Sequence, residues 1–277
     1  MVRSRKSFAM RQLLASVAIC VLAAGCATQG APAPQEKKVA DVEPTIRQAA
    51  LLAERNGNYG EAAQHYAALR NRHPDDPAIR MSLARNLRFS GNAQQAIGLL
   101  NSYGASTSND AIVLLELGKA YLAADQLNLA KPTLEKAKLS APLNWEILSA
   151  LGVVYDYEGK YDLAQEQYDA ALFLVPDNAT ILNNKALSLA QEGQLDEAVA
   201  TMEMAIDSPQ AGAQTRQNLA LLMALKGDAQ AAERLARKDL PPTMADANAE
   251  YYRSIAGQGA MSAPPPVTSG TDDMPAE

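Results

Sequence analysis

The sequence repeats with a period of 34 residues, six times without an insertion, from residue 43 to residue 246. In blocks of 34, position 8 is always a small residue and position 20 is always alanine. These positions are Ala50, Ala84, Gly118, Gly152, Ala186 and Ala220, and Ala62, Ala96, Ala130, Ala164, Ala198 and Ala232. Small side chains recur at fixed positions where two helices pack closely. The period therefore predicts an all-α chain built from six helical hairpins.

The other repeated positions agree with this hairpin. Position 15 is glycine in five blocks and Asp125 in the third, as expected for a turn that needs a positive φ. Larger apolar residues fill most copies of positions 11 and 24, and Pro74, Pro142 and Pro176 follow the second helices. The spacing resembles the tetratricopeptide repeat (TPR). This resemblance implies that the hairpins at 43–246 stack into a solenoid, because none can bury its apolar face alone.

The C-terminal end departs from the repeat. Pro241 and Pro242 stop the sixth block early, and residues 243–257 form a predicted capping helix that begins with a capping box at Thr243. Its apolar face is suited to covering the last hairpin. Residues 258–277 contain three consecutive prolines and scattered polar residues, so we expect a disordered tail.

The N-terminal end has the pattern of an export signal. Four basic residues precede twelve uncharged, mostly apolar positions, a stretch too short to span a bilayer. The segment ends at Cys26 after small residues, which resembles the lipobox of bacterial lipoproteins. The resemblance implies a signal peptide at 1–25, acylation of Cys26, and a flexible tether at 26–42. The alternative is ordinary cleavage that leaves Cys26 as a free thiol. Ala27, in place of an aspartate, favours the periplasmic face of the outer membrane.

The composition and the spacing of the reactive residues argue against nucleic-acid binding, metal binding and catalysis. The formal net charge of −6 disfavours a nucleic-acid partner. The two histidines, His65 and His73, are eight residues apart and lack the spacing of a metal site. No phosphate loop or activated nucleophile is visible in the sequence. We therefore expect a non-enzymatic protein with no metal, no cofactor and no small-molecule substrate.

Protein binding is the remaining function, and the first helix of each hairpin is expected to supply the surface. Positions 2, 5, 6, 9, 12 and 13 share one helical face, which is predicted to be basic at the lipid end, acidic in the middle and rich in amides at the far end. The predicted groove residues are Arg47, Arg55, Arg85, Arg88, Phe89, Glu116, Lys119, Asp156, Tyr157, Asn183, Asn184 and Asn218. Arg and Phe are favoured at recognition surfaces. Alternatively, the arginines pair with local acids such as Glu54 or meet anionic lipid headgroups.

A second resemblance concerns the end of the chain. The residues Arg216, Asp239-Leu-Pro-Pro242, Asn248 and Tyr252-Arg253 are similar to the C-terminal region of TadD-type TPR lipoproteins of the tight-adherence (Flp) pilus apparatus. The resemblance implies a lipid-anchored adaptor whose partners are proteins of that apparatus, such as its secretin or another outer-membrane component. Rival interpretations are a pilotin for a type IV pilus secretin and an accessory lipoprotein of outer-membrane β-barrel assembly.

Overall fold

The computed structural model describes residues 42–258, and within this range the chain is helical throughout, with no strand. The hairpins are α1 with α2, α3 with α4, α5 with α6, α7 with α8, α9 with α10 and α11 with α12, followed by α13. Their bounds are α1 Glu43–Arg55, α2 Tyr59–Arg72, α3 Pro77–Phe89, α4 Ala93–Ser102, α5 Ala111–Ala123, α6 Leu127–Ser140, α7 Trp145–Tyr157, α8 Tyr161–Leu174, α9 Ala179–Glu192, α10 Leu195–Asp207, α11 Ala213–Leu225, α12 Ala229–Ala236 and α13 Pro242–Gln258.

The first helices of four hairpins start at the same kind of cap. Position 34 of the first four blocks is Asp76, Asp110, Asn144 and Asn178, and each side chain accepts a hydrogen bond from a backbone N–H in the first turn of the next helix. Such caps satisfy donors that the helix itself leaves free. The cap therefore recurs at the starts of the second to fifth hairpins, whereas the sixth begins after Gly212, which provides no side-chain cap.

The turn inside each hairpin confirms the sequence pattern. All six residues at position 15 have positive φ, from 57° at Asp125 to 101° at Gly227. This left-handed conformation suits glycine, and aspartate tolerates it better than most residues. The same turn therefore closes all six hairpins.

The small residues lie where the two helices meet. Every alanine at positions 8 and 20 is fully buried. A Cβ atom added to Gly118 would lie 2.5 Å from Leu134, and one added to Gly152 would lie 2.5 Å from the ring of Tyr168. Because position 8 packs directly on position 24, it stays small where position 24 is large. This contact defines the register of the hairpin.

The second connection differs from the others. The helix α4 ends at Ser102, and a short 3₁₀ helix at Ala105–Thr107 follows Gly104, which has a φ of 77°. The Tyr103 ring lies 3.5 Å from the guanidinium carbon of Arg80, and its hydroxyl donates a hydrogen bond to the Pro74 carbonyl. The longer connection is therefore tied back to the hairpin that precedes it.

The C-terminal helix packs on the last hairpin. It contacts both α11 and α12, and Tyr252 is buried in the interface. Arg216 on α11 forms a bidentate pair with Asp239, at 2.8 and 2.7 Å, which fixes the segment leading into α13. Arg253 on α13 pairs with Glu233 on α12 at 3.0 Å. The fold is thus the predicted all-α solenoid of six hairpins with a capping helix.

Several predictions fall outside the described range. The signal peptide, Cys26, the tether up to residue 41 and the tail from residue 259 are not among the described residues. Within residues 42–258, no helix combines the length and the apolar character needed to cross a membrane.

Candidate peptide-binding groove

The first helices of the hairpins form one continuous row. α3 contacts α5, α5 contacts α7, α7 contacts α9, and α9 contacts α11. Positions 2, 5, 6, 9, 12 and 13 of neighbouring hairpins are thereby brought to the same surface. We call this surface, carried by α1, α3, α5, α7, α9 and α11, the groove.

Two arginines of the predicted basic cluster, Arg85 and Arg88, form ion pairs within the chain. Arg88 is only 4% exposed, and its Nε donates a hydrogen bond to Glu116 on the next first helix at 2.9 Å. The side chain of Arg85 is 44% exposed, with its Nε 3.9 Å from the same carboxylate. Burial of a charge is tolerated when it is paired in this way. Arg85 is therefore the more accessible of these two cations, and the pairing partner is Glu116 rather than Glu54.

Phe89 also has partners within the chain. Its ring stacks on Tyr59 with a centroid distance of 4.8 Å, and the Arg88 guanidinium carbon lies 4.3 Å from its centroid. Both contacts restrict the position of the ring. The structure thus places Phe89 in the packing of the first two hairpins, half-buried at the rim of the groove.

The N-terminal end of the groove carries the other two arginines. Arg47 pairs with Glu43 at 2.7 Å within α1, and His73 Nε2 lies 2.6 Å from the same carboxylate. Hydrogen bonding to His73, and secondarily to Arg47, lowers the pKa of Glu43. Arg55 is exposed at the end of α1.

The middle of the groove is a chain of polar contacts between hairpins. Lys119 on α5 is almost buried and donates to Glu146 on α7 at 2.6 Å. Asp156 is half-buried near the end of α7, whereas Tyr157 beside it is 43% exposed. Partial burial, and then the Asp125 carboxylate, raise the pKa of the Tyr157 hydroxyl. Tyr157 is therefore a protonated hydrogen-bonding group at neutral pH.

The far end is a ladder of side-chain amides. Gln214 donates to Asn218 at 3.1 Å, Asn218 donates to Asn183 at 2.7 Å, and Asn183 donates to Asn184 at 3.3 Å. The structure brings together all three asparagines predicted for this end, but Asn218 and Asn184 are buried by their neighbours, at 4% and 8% exposure, and only Asn183 is half-buried. Amides offer both donors and acceptors, which matches the needs of an extended peptide backbone.

Two partly buried triads of hydrogen-bonded side chains were not predicted. Asp156 accepts hydrogen bonds from the Tyr168 hydroxyl at 2.6 Å and from the Ser188 hydroxyl at 2.5 Å. In the first hairpin, Glu54 accepts from Tyr66 at 3.2 Å and from the Asn86 amide at 2.5 Å. Each triad joins the residues at positions 12 and 24 of one block to the residue at position 10 of the next block.

The sequence contains a signal for these triads. Position 24 is tyrosine only in blocks one and four, and these are also the only blocks with an acid at position 12. A buried tyrosine hydroxyl needs a hydrogen-bond partner, and the acid supplies it. Burial outweighs the hydrogen bonds at Asp156 and raises its pKa to about 6.

The groove can therefore offer hydrogen bonds and charge but little reactive chemistry. Its most accessible predicted residues are Arg47, Arg55, Arg85 and Tyr157, set among paired side chains. Across residues 42–258, no group of three His, Cys, Asp or Glu side chains is arranged to hold a metal ion.

Comparison with known proteins agrees with the fold. Two models described as tetratricopeptide repeat match residues 53–113 and 150–214. A thermophilic TPR protein of Thermus thermophilus superimposes with a TM-score of 0.59 and 23% identity, covering 65% of this chain and 98% of that one. A chain of the APC/C hetero-tetramer Cut9-Hcn1 gives 0.62 and 15% identity, covering 77% of this chain and 42% of that one. Comparison of the sequence with curated proteins gives no significant match.

The fold and the repeats define the class. This chain contains tetratricopeptide repeats at residues 53–113 and 150–214, and its described residues form an all-α solenoid. Proteins of this fold generally mediate protein–protein interactions, and their scaffolds are typically non-catalytic.

Proposed function

We propose that this protein is a lipid-anchored periplasmic scaffold that helps to assemble the tight-adherence (Flp) pilus secretion apparatus. Its partners are protein components of that apparatus, and its groove binds an extended segment of one of them. Its place is the periplasmic face of the outer membrane, with acylated Cys26 as the anchor.

The observation that carries the pilus assignment is the C-terminal motif. Four residues that are similar to TadD-type lipoproteins, Arg216, Asp239, Tyr252 and Arg253, are among those that fix α13 and the segment before it on the last hairpin. The similarity therefore falls on a structural element rather than on scattered surface positions. It supports a relationship that extends from the repeats through the cap.

The anchor rests on the N-terminal sequence. Stable attachment requires more than one acyl chain, as a lipoprotein cysteine acquires. Mass spectrometry of the mature N-terminus is expected to show a fully acylated Cys26 as the first residue. An unmodified thiol at this position, or cleavage at another site, would contradict the anchor.

The groove supplies the binding part of the proposal. Arg85 beside the Arg88–Glu116 pair can contact a ligand carboxylate, and the half-buried Asn183 of the amide ladder can contact a peptide backbone. Arg85→Gln removes one charge near Glu116 but leaves its hydrogen bond with Arg88 in place, whereas reversal of Arg88 would place two carboxylates together in a buried site. We expect Arg85→Gln to weaken partner capture about five- to tenfold and to reduce its salt dependence.

The matched control is Arg72→Gln. Arg72 is exposed at the end of α2, outside the groove, and the substitution makes the same change in net charge. Capture from native envelopes should be unchanged in this variant. Equal capture by wild type, Arg85→Gln and Asn184→Ala, with folding intact, would show that the groove is not the binding surface.

A deletion strain tests the biological role. We expect loss of pili and of surface adherence, with outer-membrane integrity preserved, and recovery on complementation with the wild-type chain. Normal pili would refute the assignment. A broad envelope defect would favour β-barrel assembly instead, and mislocalisation of a type IV pilus secretin would favour a pilotin.

A further inference from the structure

Position 9 of the first helices forms one row of side chains along the groove, and the character of this row changes along the stack. In the fourth, fifth and sixth hairpins the row consists of half-buried aliphatic residues, Val153, Leu187 and Leu221, which pack inward on two hydrophobic clusters. Toward the N-terminal end it continues with Lys119, which is ion-paired, and with Arg85, whose side chain is 44% exposed. The row is therefore apolar over three hairpins and basic over the next two.

Contacts between the first helices hold the apolar part of the row in register. The hydrogen bond from Asn218 to Asn183, at 2.7 Å, joins α11 to α9 one helical turn before the row. The hydrogen bond from Ser188 to Asp156 joins α9 to α7 beside the row. Helices in contact have axes about 8–10 Å apart, so successive members of the row are separated by about this distance.

The surroundings of the apolar row are polar but uncharged. In the fifth and sixth hairpins no charged residue occupies position 2, 5, 6, 9, 12 or 13, although both blocks carry charges elsewhere. Asn183 is half-buried and Gln214 is exposed, and each donates one hydrogen bond within the amide ladder. A side-chain amide has a second N–H, which can donate to a backbone carbonyl. This part of the groove therefore suits an uncharged apolar segment whose carbonyl groups are free.

The spacing of the row selects the conformation of such a segment. A β-strand returns a side chain to the same side after about 6.6 Å, and an α-helix does so after about 5.4 Å. A polyproline II helix does so after three residues, or about 9.3 Å, and its backbone carbonyls have no internal partner. Polyproline II therefore places every third residue on one hairpin of the stack.

The C-terminal tail of the chain has this pattern. Residues 259–277 lie outside the described range and follow α13, where Ile255 packs on the same hydrophobic cluster as Leu221. Residues 259–271 carry no charge and include three consecutive prolines, whose fixed φ favours polyproline II. Every third residue of the tail belongs to the series Met261, Pro264, Val267, Gly270 and Asp273.

We propose that residues 261–273 lie in the groove as a polyproline II segment that runs from the sixth hairpin to the second. Three apolar residues then meet the apolar part of the row, a glycine passes the paired lysine, and an aspartate reaches the accessible arginine. The contacts in this register are Met261 with Leu221, Pro264 with Leu187, Val267 with Val153, Gly270 with Lys119, and Asp273 with Arg85.

Docking of the tail makes it a competitor for the groove. A protein segment that binds the groove must displace residues 261–273. The intramolecular contact itself does not depend on the identity of any partner. Its failure would therefore leave the proposed function standing, and it is tested without a partner.

Site-specific photo-cross-linking of the purified full chain, in detergent and at low concentration, tests the register. p-Benzoylphenylalanine replaces Met261 in one variant and Val267 in another, and mass spectrometry of the peptides locates the links. We expect a link from position 261 to α11 and from position 267 to α7, because six residues span two hairpins. Links from both positions to the same helix, no link, or an adduct of twice the chain mass would overturn the proposal.

A charge test uses two neighbouring aspartates in the same assay. Asp273→Asn and Arg85→Gln should each lower the yield of the link from position 267 about two- to threefold. The double variant should lose no more than either single variant, because both remove one contact. Asp272→Asn is the matched control, since the three-residue period turns this side chain away from the row, and its yield should equal that of the parent chain. Additive losses, or equal losses from the two aspartate variants, would refute the register.

Discussion

Asp156→Asn removes the charge of one partly buried carboxylate, and we predict that its effect on stability depends on pH. Asparagine has the shape of aspartate, its oxygen can accept from Tyr168, and its amide can donate to Ser188. The substitution therefore removes the charge while it keeps both hydrogen bonds of the triad. The difference between variant and wild type then reports the cost of ionising Asp156.

The magnitude follows from the raised pKa. Burial moves the pKa of Asp156 from 3.8 to about 6, although hydrogen bonds from Ser188 and Tyr168 act in the opposite direction. Between about pH 4 and pH 6 the folded state holds a proton that the unfolded state has released. Wild-type stability therefore falls as pH rises through this window and the loss is complete above about pH 6. The full loss corresponds to about 3 kcal/mol.

Urea unfolding of the full chain, followed by circular dichroism from pH 4 to pH 7.5, measures this effect. Relative to wild type, the free energy of unfolding of Asp156→Asn should be about 2.5 kcal/mol higher at pH 7.5 than at pH 4, because the unfolded carboxyl is already partly protonated at pH 4. Glu166→Gln on α8 is the control, because this carboxylate is exposed and outside the triad. A difference between Asp156→Asn and wild type that stays constant across the pH range would refute the reasoning.

Two further predictions concern the packing. Gly152→Ala should lower the free energy of unfolding by about 1–3 kcal/mol, because the added methyl group would overlap a tyrosine ring. Gly98→Ala faces open space within α4 and should stabilise the fold by about 0.5–1 kcal/mol. Thermal unfolding measures both variants, and equal effects would contradict the register of the hairpins. Arg216→Ala should free the segment at Asp239 and increase amide hydrogen exchange throughout α13. The free energy of unfolding should fall by on the order of 1 kcal/mol. Unchanged exchange would show that this ion pair does not hold the helix.

The fold was predictable because each repeated position has a local structural role that restricts its residue type. A turn with positive φ, a close helix contact and a helix cap each restrict the residue type, and they recur every 34 residues. Asp76 and Asp110 show that the cap was visible in the sequence, at position 34, although the helix starts were predicted from the repeat alone. The bounds of the first helices agree closely with the block starts.

The state of the groove side chains was not predictable in the same way. The helical period places Arg88 on the correct face, but its exposure depends on how far the next hairpin is offset along the stack. That offset brings Glu116, 28 residues later, within 2.9 Å of Arg88. The triads are a different case, since the joint occurrence of an acid at position 12 and tyrosine at position 24 was present in the sequence.

The polar contacts between hairpins also specify the order of the repeats. All six hairpins share one backbone shape. Shape alone would therefore allow the second hairpin to pack on the fourth hairpin in place of the third. Arg88 would then face Ala150, which occupies the position that Glu116 holds in the third hairpin. A buried guanidinium without its carboxylate costs about 3–5 kcal/mol. Distinct pairs such as Arg88–Glu116, Lys119–Glu146 and Asn183–Asn218 therefore penalise docking that skips a hairpin, and they protect a repetitive chain from misfolding.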